Sequence, residues 1–277
     1  LRVVRPLPHR TSAGGLRAVP GGRMTQSGPS NPFTCRTALV TGGGSGIGRA
    51  VALALSERGA RVFVADIDPT GTKDVAAEIR KNGGAAEAFR LDVSESASVA
   101  ELFLTLRALC PALDLLVNGA AILGESALIE EMTDEQWRRV IAVNLDGTFF
   151  CCREAVRWMK ETGGGRIVNF SSVAGLMPTP GALHYSASKG AVIQLTKTLA
   201  RETARLNLRV NAIAPGYVQT PMLDAMEPSF REQTLHRTPL KRFGSPEEIA
   251  ALVVFLAGPN ADFFTGQVLS PNGGLVI

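Results

Sequence analysis

Residues 37–66 read TALVTGGGSGIGRAVALALSERGARVFVAD. An apolar β-type run, TALVT at 37–41, leads into the glycine string 41–48, which opens a helix-length amphipathic stretch over 46–58. A second β-type run, RVFVA at 61–65, follows and stops at Asp66. Strand, helix and strand in such close succession imply a parallel pair joined by a right-handed crossover. At Gly42, Gly46 and Gly48 a side chain would obstruct the tight turn, the approach of a pyrophosphate, or packing of helix on strand. Around Ser45, Gly46 and Ile47 the free N–H groups and the positive end of the helix dipole favour an anionic phosphate. The spacing is G-x-x-x-G-x-G, not the commoner G-x-G-x-x-G, so the strand–turn–helix setting carries the argument. Asp66 stands 18 residues after Gly48. An acid there can accept both ribose hydroxyls of an adenosine and repel a 2′-phosphate. Ile67 follows it, and Ser45 precedes Gly46, so neither place holds an arginine or lysine. The pattern favours NAD(H) over NADP(H).

Outward from this unit the alternation continues. Further β-type runs at 86–91, 113–117, 166–170, 208–213 and 266–270 are separated by helix-length stretches at 70–82, 95–109, 134–160, 184–206 and 246–257. The near-continuous apolar character of 37–41 and 113–117 fits strands buried on both faces. The expected fold is α/β: a three-layer, doubly wound Rossmann-type domain with a parallel sheet of about seven strands, spanning 36–277 without linker or repeat. Residues 1–35 differ, being rich in Pro, Gly and Arg, free of acid and without long apolar periodicity. Such a segment buries too little to offset its ordering entropy, so a flexible basic extension is expected.

The chain of 277 residues is 45% hydrophobic, enough for a sizeable core, yet no run approaches the ~18 apolar residues of a membrane span. Its net charge of +4 invites a nucleic-acid reading. However, Arg2, Arg5, Arg10, Arg17 and Arg23 all precede the first acid, Glu57, and without those five arginines the remainder carries −1. No basic nucleic-acid face is expected on the body. Two origins are open for the basic segment: an extension before a natural start at Met24, or a mitochondrial presequence, which Pro6, Pro8 and Pro20 oppose by interrupting any amphipathic helix. A cytoplasmic location is the expectation. Cys35, Cys110, Cys151 and Cys152 form no C-x-x-C pair and read as reduced thiols. His9, His184 and His236 lack metal-ligand spacing, so no metal site is proposed.

Tyr185 and Lys189 stand four apart on one face of the predicted helix 184–206. A phenol near pKa ~10 is a poor acid–base group at neutral pH, and an adjacent cation would lower that value. Ser172, 13 residues upstream at the end of run 166–170, can bind a substrate oxygen at the carboxyl edge of the sheet. Taken singly, each has a plain alternative: a buried Tyr with a snorkelling Lys, and a Ser capping a turn.

Together these residues resemble the short-chain dehydrogenase/reductase family over 36–277, within it the 3-oxoacyl-carrier-protein reductase-like members. The ordered pattern comprises T-G-x-x-x-G-x-G at 41–48, Asp66, Asp92-Val93, Asn118, Asn144, Ser172, Y-x-x-x-K at 185–189 and Pro215-Gly216. The resemblance implies that Tyr185 is general acid in carbonyl reduction and base in alcohol oxidation, and that Ser172 orients the substrate oxygen. It implies that Lys189 lowers the Tyr185 pKa and holds the nicotinamide ribose, while Asn144 holds a water in a proton relay. It places Asp92 and Val93 beside adenine, Asn118, Gly119 and Ala120 along the cofactor, and Val218 and Thr220 at the carboxamide. Two departures are visible. Asn118-Gly119-Ala120-Ala121 stands where the family shows N-N-A-G, which puts rigidity of the sheet centre in doubt, and PNGG at 271–274 lacks the usual acid. Met222, Met226 and Phe230 repeat at i, i+4 and i+8 and are read as an apolar lid over the substrate, or else as a helix packing on the core.

The resulting expectation is an NAD(H)-dependent oxidoreductase interconverting a secondary alcohol, 3-hydroxyacyl-type or similar, with its ketone, assembled as a homotetramer through 134–160, 184–206 and the terminal strand. The competing readings are an NADPH-dependent 3-oxoacyl-carrier-protein reductase and a non-catalytic dinucleotide-binding sensor. A sensor would have no need of Ser172, Tyr185 and Lys189.

Overall fold

In the computed structural model, which describes residues 33, 34 and 36–277, strand and helix alternate from Thr37 onward. The strands are β1 (Thr37–Thr41), β2 (Arg61–Asp66), β3 (Ala85–Arg90), β4 (Leu115–Asn118), β5 (Gly165–Phe170), β6 (Leu208–Ile213) and β7 (Val268–Leu269). They form one sheet in the order β3-β2-β1-β4-β5-β6-β7, each neighbouring pair parallel. The chain order reverses between β1 and β4, where the register sets Thr41 beside Asn118, so a crevice opens at the carboxyl ends of these two strands.

Side-chain alternation along each strand feeds two cores. Val40, Val62 and Val64 point to one face, where α1 (Gly46–Ser56), α2 (Pro69–Lys81) and α9 (Pro246–Ala257) supply Val51, Leu55, Ile79 and Val253. Leu39, Phe63 and Leu116 point to the other, meeting Phe103 of α3 (Ser96–Leu109) and Trp158 and Met159 of α5 (Gly147–Glu161). Each such side chain, removed from water on a strand covered on both sides, contributes about 1.5–3 kcal/mol. This is the three-layer arrangement that the continuous apolar runs imply. Among the described residues no helix is long and apolar enough to cross a membrane.

Three expectations need correction. The stretch 134–160 is not one regular helix. It runs as α4 (Asp134–Ile141), one π-turn (Ala142–Asp146) and then α5. Met222, Met226 and Phe230 do not share a helix either. Pro228 keeps Glu227 out of the helical region (φ −53, ψ 136), dividing the segment into α7 (Pro221–Asp224) and α8 (Pro228–Arg237). Between them Leu223 is buried, while Met222 and Phe230 are exposed. Finally, packing begins before residue 36: Phe33 is 3% exposed in the α1/α9 core, and its N–H donates to the Arg58 carbonyl. Apart from Phe33 and Thr34, the basic amino-terminal segment 1–35, Cys35 included, lies outside the described residues.

Candidate active site

The loop between β1 and α1 is a cradle too narrow for side chains. Gly42 has φ +65, and a Cβ there would stand 2.6 Å from the backbone of Gly119 and Ala120. At Gly48 a Cβ would stand 2.0 Å from the Gly42 carbonyl. The helices α2, α4 and α9 start with side-chain caps from Asp68, Thr133 and Ser245. In α1, Ser45 makes no such bond and the first turn holds no acid, which leaves the positive helix end open to an external anion. Asp66 stands over the same turn, its Oδ2 accepting the Gly44 N–H at 3.0 Å and its Oδ1 the Asp68 N–H at 3.1 Å.

The loop after β6 closes the cradle from the other side. A Cβ on Gly46 would meet Thr220 Cγ2 at 3.3 Å. Val173 N–H donates to the Pro215 carbonyl and Gly216 N–H to the Pro271 carbonyl, both at 3.0 Å, so this loop is fixed to the turn after β5 and to the carboxyl terminus. Asn272 secures that terminus: Nδ2 donates to Ser270 Oγ and the Val276 carbonyl (both 2.9 Å), and Oδ1 accepts the Gly274 N–H at 2.9 Å. A carboxylate could not donate, which gives the PNGG departure a physical reason. A dinucleotide fits this constellation. The cradle is glycine at 42–44, 46 and 48, the helix start is open to a phosphate, and the Asp66 carboxylate stands where a ribose would end.

Other expected cofactor residues also have partners within the chain. Asp92 Oδ1 accepts the N–H and hydroxyl of Ser94 (3.0 and 2.6 Å), and Val93 is buried, within 2.7 Å of a Cβ built on Gly147. The Asn118 side chain points into the sheet. Its Nδ2 donates to Asn169 Oδ1 at 2.8 Å and Cys152 Sγ at 3.3 Å, and Asn169 Nδ2 donates to Thr196 Oγ1 at 3.0 Å. Main chain is what 118–120 offers a cofactor, with the N–H groups of Gly119 and Ala120 resting on Thr41 Oγ1 (3.2 and 3.4 Å). The side-chain relay from Cys152 to Thr196 also answers the doubt raised by Gly119, because it braces the sheet centre without a second Asn. Burial pushes the Cys152 thiol up to about 12, so it is an inert structural thiol.

Ser172 lies two residues past β5 and caps a 3₁₀ turn (Val173–Gly175), accepting the Ala174 N–H at 3.2 Å. The helix α6 (Leu183–Thr203) is drawn against this turn. Ser171 Oγ donates to the Lys189 carbonyl at 2.8 Å, and a Cβ on Gly175 would stand 2.7 Å from the Lys189 backbone. Tyr185 is thereby brought near Ser172, whose hydroxyl acts on its phenol. Lys189, 3% exposed, donates from Nζ to the Phe170 carbonyl at 2.9 Å and sits 5.7 Å from the Tyr185 ring centroid. Burial alone lowers its pKa to about 8. The expected lowering of the phenol is not found. Burial pushes Tyr185 up from its ordinary value, the Ser172 hydroxyl pulls against that, and Tyr217 adds to the rise. Lys189 faces a carbonyl instead, and desolvation is the largest influence on both groups.

Asn144 sits in the π-turn, fully buried, and clasps the loop after β4. Its Oδ1 accepts the Ile122 N–H, and its Nδ2 donates to the Ile122 carbonyl (both 2.9 Å) and to Ser188 Oγ at 3.1 Å. Ser188 in turn donates to the Tyr185 carbonyl at 2.7 Å. Sequence reasoning misses Asn169, Thr196 and Ser188. A polar residue inside the otherwise apolar run 166–170 is the available signal for Asn169. Among the described residues no group of three or more His, Cys, Asp or Glu is placed to hold a metal.

Residues 42–276 match the family model described as enoyl-(acyl carrier protein) reductase. The chain is 40% identical over 242 residues to the 3-oxoacyl-[acyl-carrier-protein] reductase FabG of Thermotoga maritima, which covers 87% of this chain and 98% of the relative. It is also 40% identical over 242 residues to the cis-4-hydroxycyclohexanecarboxylate dehydrogenase of Sinomonas cyclohexanicum, covering 87% and 97%. The crystal structure of levodione reductase superposes with a TM-score of 0.84 at 32% identity, covering 87% of this chain and 98% of that one. Fold, sequence match and relatives agree: the chain belongs to the short-chain dehydrogenase/reductase family.

Proposed function

We propose that this oxidoreductase interconverts a secondary alcohol and its ketone with NAD(H), Tyr185 handling the proton. The observation that carries the reading is the meeting of Ser172 and Tyr185 at the end of β5, beside the glycine cradle and within reach of one small-molecule oxygen. Bound there, a nicotinamide dinucleotide supplies the hydride for carbonyl reduction and accepts it in alcohol oxidation. Tyr185 gives its proton to the carbonyl oxygen in reduction and takes the hydroxyl proton in oxidation, while Ser172 orients that oxygen. A phenol held above its ordinary pKa suits the donor role. Lys189, a buried cation one helical turn away, would hold the nicotinamide ribose and return the proton. Asn144 and Ser188 fix the loop and helix between which the substrate enters.

Asp66 supports NAD(H), since a carboxylate at the ribose end disfavours a 2′-phosphate. The substrate class favoured is a 3-hydroxyacyl-type or ring secondary alcohol, which the names of the FabG and cyclohexanecarboxylate relatives support. The same reading has the enzyme acting as a cytoplasmic homotetramer, for which light scattering is the test of assembly. A second reading, NADPH-dependent reduction of a 3-oxoacyl thioester, is comparably favoured by the 3-oxoacyl-[acyl-carrier-protein] reductases among the relatives, from Thermotoga maritima, Synechocystis, Vibrio harveyi and Staphylococcus. One experiment separates them: turnover of 3-oxoacyl thioesters and cyclic ketones with NADH and with NADPH, for the wild type, Asp66→Ala and Tyr185→Phe. We expect NADH preference, relaxed in Asp66→Ala, and loss of turnover in Tyr185→Phe. NADPH preference in the wild type would overturn the cofactor assignment.

A further inference from the structure

We infer that His184 is a positioning residue: its ring ties the loop after β4 to the first turn of α6 and so sets where the Tyr185 phenol stands relative to the substrate-side wall. The inference rests on Tyr185 as the proton-transfer group.

His184 is 1% exposed and both ring nitrogens are engaged. Nδ1 lies 2.8 Å from the backbone nitrogen of Tyr185, and Nε2 lies 3.1 Å from the Glu125 carbonyl oxygen. A backbone N–H can only donate and a carbonyl can only accept, so Nδ1 is the acceptor and Nε2 carries the proton. The imidazole is therefore the neutral Nε2–H tautomer, with one nitrogen on each of two chain segments. The Tyr185 N–H is one of the first-turn donors of α6, whose N-cap residue, Ala182, offers no side-chain acceptor. His184 takes over that service for the residue that carries the chemistry.

The second segment is the loop that leaves the carboxyl end of β4, where ligands of doubly wound sheets sit. It is stitched to α6 and the preceding turn at three successive points. Ile122 is held by Asn144, which also holds Ser188; Glu125 is held by His184; and Ala127 N–H donates to the Gly181 carbonyl at 3.0 Å. Tyr185 lies between the first and third stitches, and His184 is the one that touches both the loop and Tyr185 directly. The loop is shaped to receive the ring. Gly124 has φ +78, and a Cβ there would stand 2.7 Å from His184 Nε2 and 2.6 Å from Val140 Cγ2. A residue filling space alone would not need two oriented polar contacts, and a backbone N–H and carbonyl left unpaired at this burial are costly.

The test compares His184→Ala, His184→Asn, His184→Gln and His184→Phe with wild type and Tyr185→Phe. It reads kcat and KM for the ketone, NADH affinity by fluorescence titration, and thermal unfolding. Asn keeps an acceptor near Nδ1, Gln keeps a donor near Nε2, and Phe keeps volume alone. We expect a kcat about 10–100-fold lower in His184→Ala and His184→Phe, the scale of a displaced catalytic group, with NADH affinity unchanged. Asn and Gln should each restore part of the loss, because each keeps one of the two contacts. Wild-type kcat in His184→Phe would overturn the inference, leaving a space-filling ring. So would loss of NADH binding along with turnover in both Asn and Gln variants, which would mark general collapse. If His184→Ala does not fold, the Asn and Gln variants decide: wild-type kcat in either refutes a two-sided tie. An active Tyr185→Phe would instead refute the proposed proton role, an outcome separate from any His184 result.

Discussion

Lys189 carries a penalty that can be measured apart from catalysis. A lysine in an unfolded chain titrates near ~10.4. In the folded protein it titrates at about 8, because burial disfavours its charge. At about 1.36 kcal/mol for each tenfold change in proton affinity, that gap corresponds to about 3 kcal/mol. The unfolded chain holds this proton more tightly than the folded one, so in the window between the two values unfolding takes up a proton. Stability then rises with pH. Below pH 8 the penalty is present in full, and above ~10.4 it has gone. Lys189→Met removes the titrating group and serves as the reference. It also leaves the Phe170 carbonyl without its 2.9 Å donor, but that loss does not depend on pH in this window. Urea unfolding of both proteins without cofactor, at pH values spanning the window, gives the difference in unfolding free energy directly. Groups common to both proteins cancel. The wild type should gain about 3 kcal/mol relative to Lys189→Met as pH climbs through the window. Parallel stability curves would refute the argument that Lys189 is held desolvated, and the mutant gaining with pH would refute its sign.

Gly48→Ala places a Cβ 2.0 Å from the Gly42 carbonyl, so the turn must open. NADH affinity measured by fluorescence should fall at least tenfold, whereas Gly83→Ala, with open space around it, should leave affinity unchanged. Asn272→Asp exchanges two donated hydrogen bonds for a carboxylate facing Ser270 Oγ and the Val276 carbonyl. Thermal melts should show a loss of about 1–3 kcal/mol at neutral pH, with KM for NADH raised through the Gly216 loop. Alcohol oxidation needs Tyr185 deprotonated, and burial holds its pKa up, so kcat/KM for oxidation should still be rising above neutral pH. A plateau reached below neutrality would contradict it.

The architecture was legible because its signals are local. TALVTGGGSGIG and RVFVAD state strand, turn, helix and strand in order, and runs apolar on both parities announce a sheet covered on both faces. Glu227-Pro228 held the signal that divides α7 from α8, yet the apolar spacing of Met222, Met226 and Phe230 obscured it. The π-turn left no mark, since one extra residue in a long helical pattern shifts periodicity by less than ordinary sequence variation does. Nor can spacing show which way Asn118 faces, or that desolvation holds the Tyr185 pKa up although Lys189 stands one turn away. Those depend on burial, a property of the folded whole. The sequence sets His184 beside Tyr185, but which chain segments its two ring nitrogens engage depends on the folded loop after β4.

The π-turn has an implication for insertions and deletions along this chain. In it the Gly147 N–H bonds to the carbonyl five residues back, Ala142, so the turn accommodates one residue more than a regular helix would. Deleting one residue from 142–146 would give α4 and α5 a single unbroken helix, with better hydrogen-bond geometry and no loss of helix content. Because the extra residue is taken up inside the π-turn, the flanking segments would keep their relative phase, but the bulge that carries Asn144 to Ile122 and Ser188 would be gone. A shortened gene would therefore yield a protein at least as helical, but with its loop unfastened and the Ile122 N–H and carbonyl without those partners. Length variants at this point among relatives should accordingly separate by activity more than by helix content.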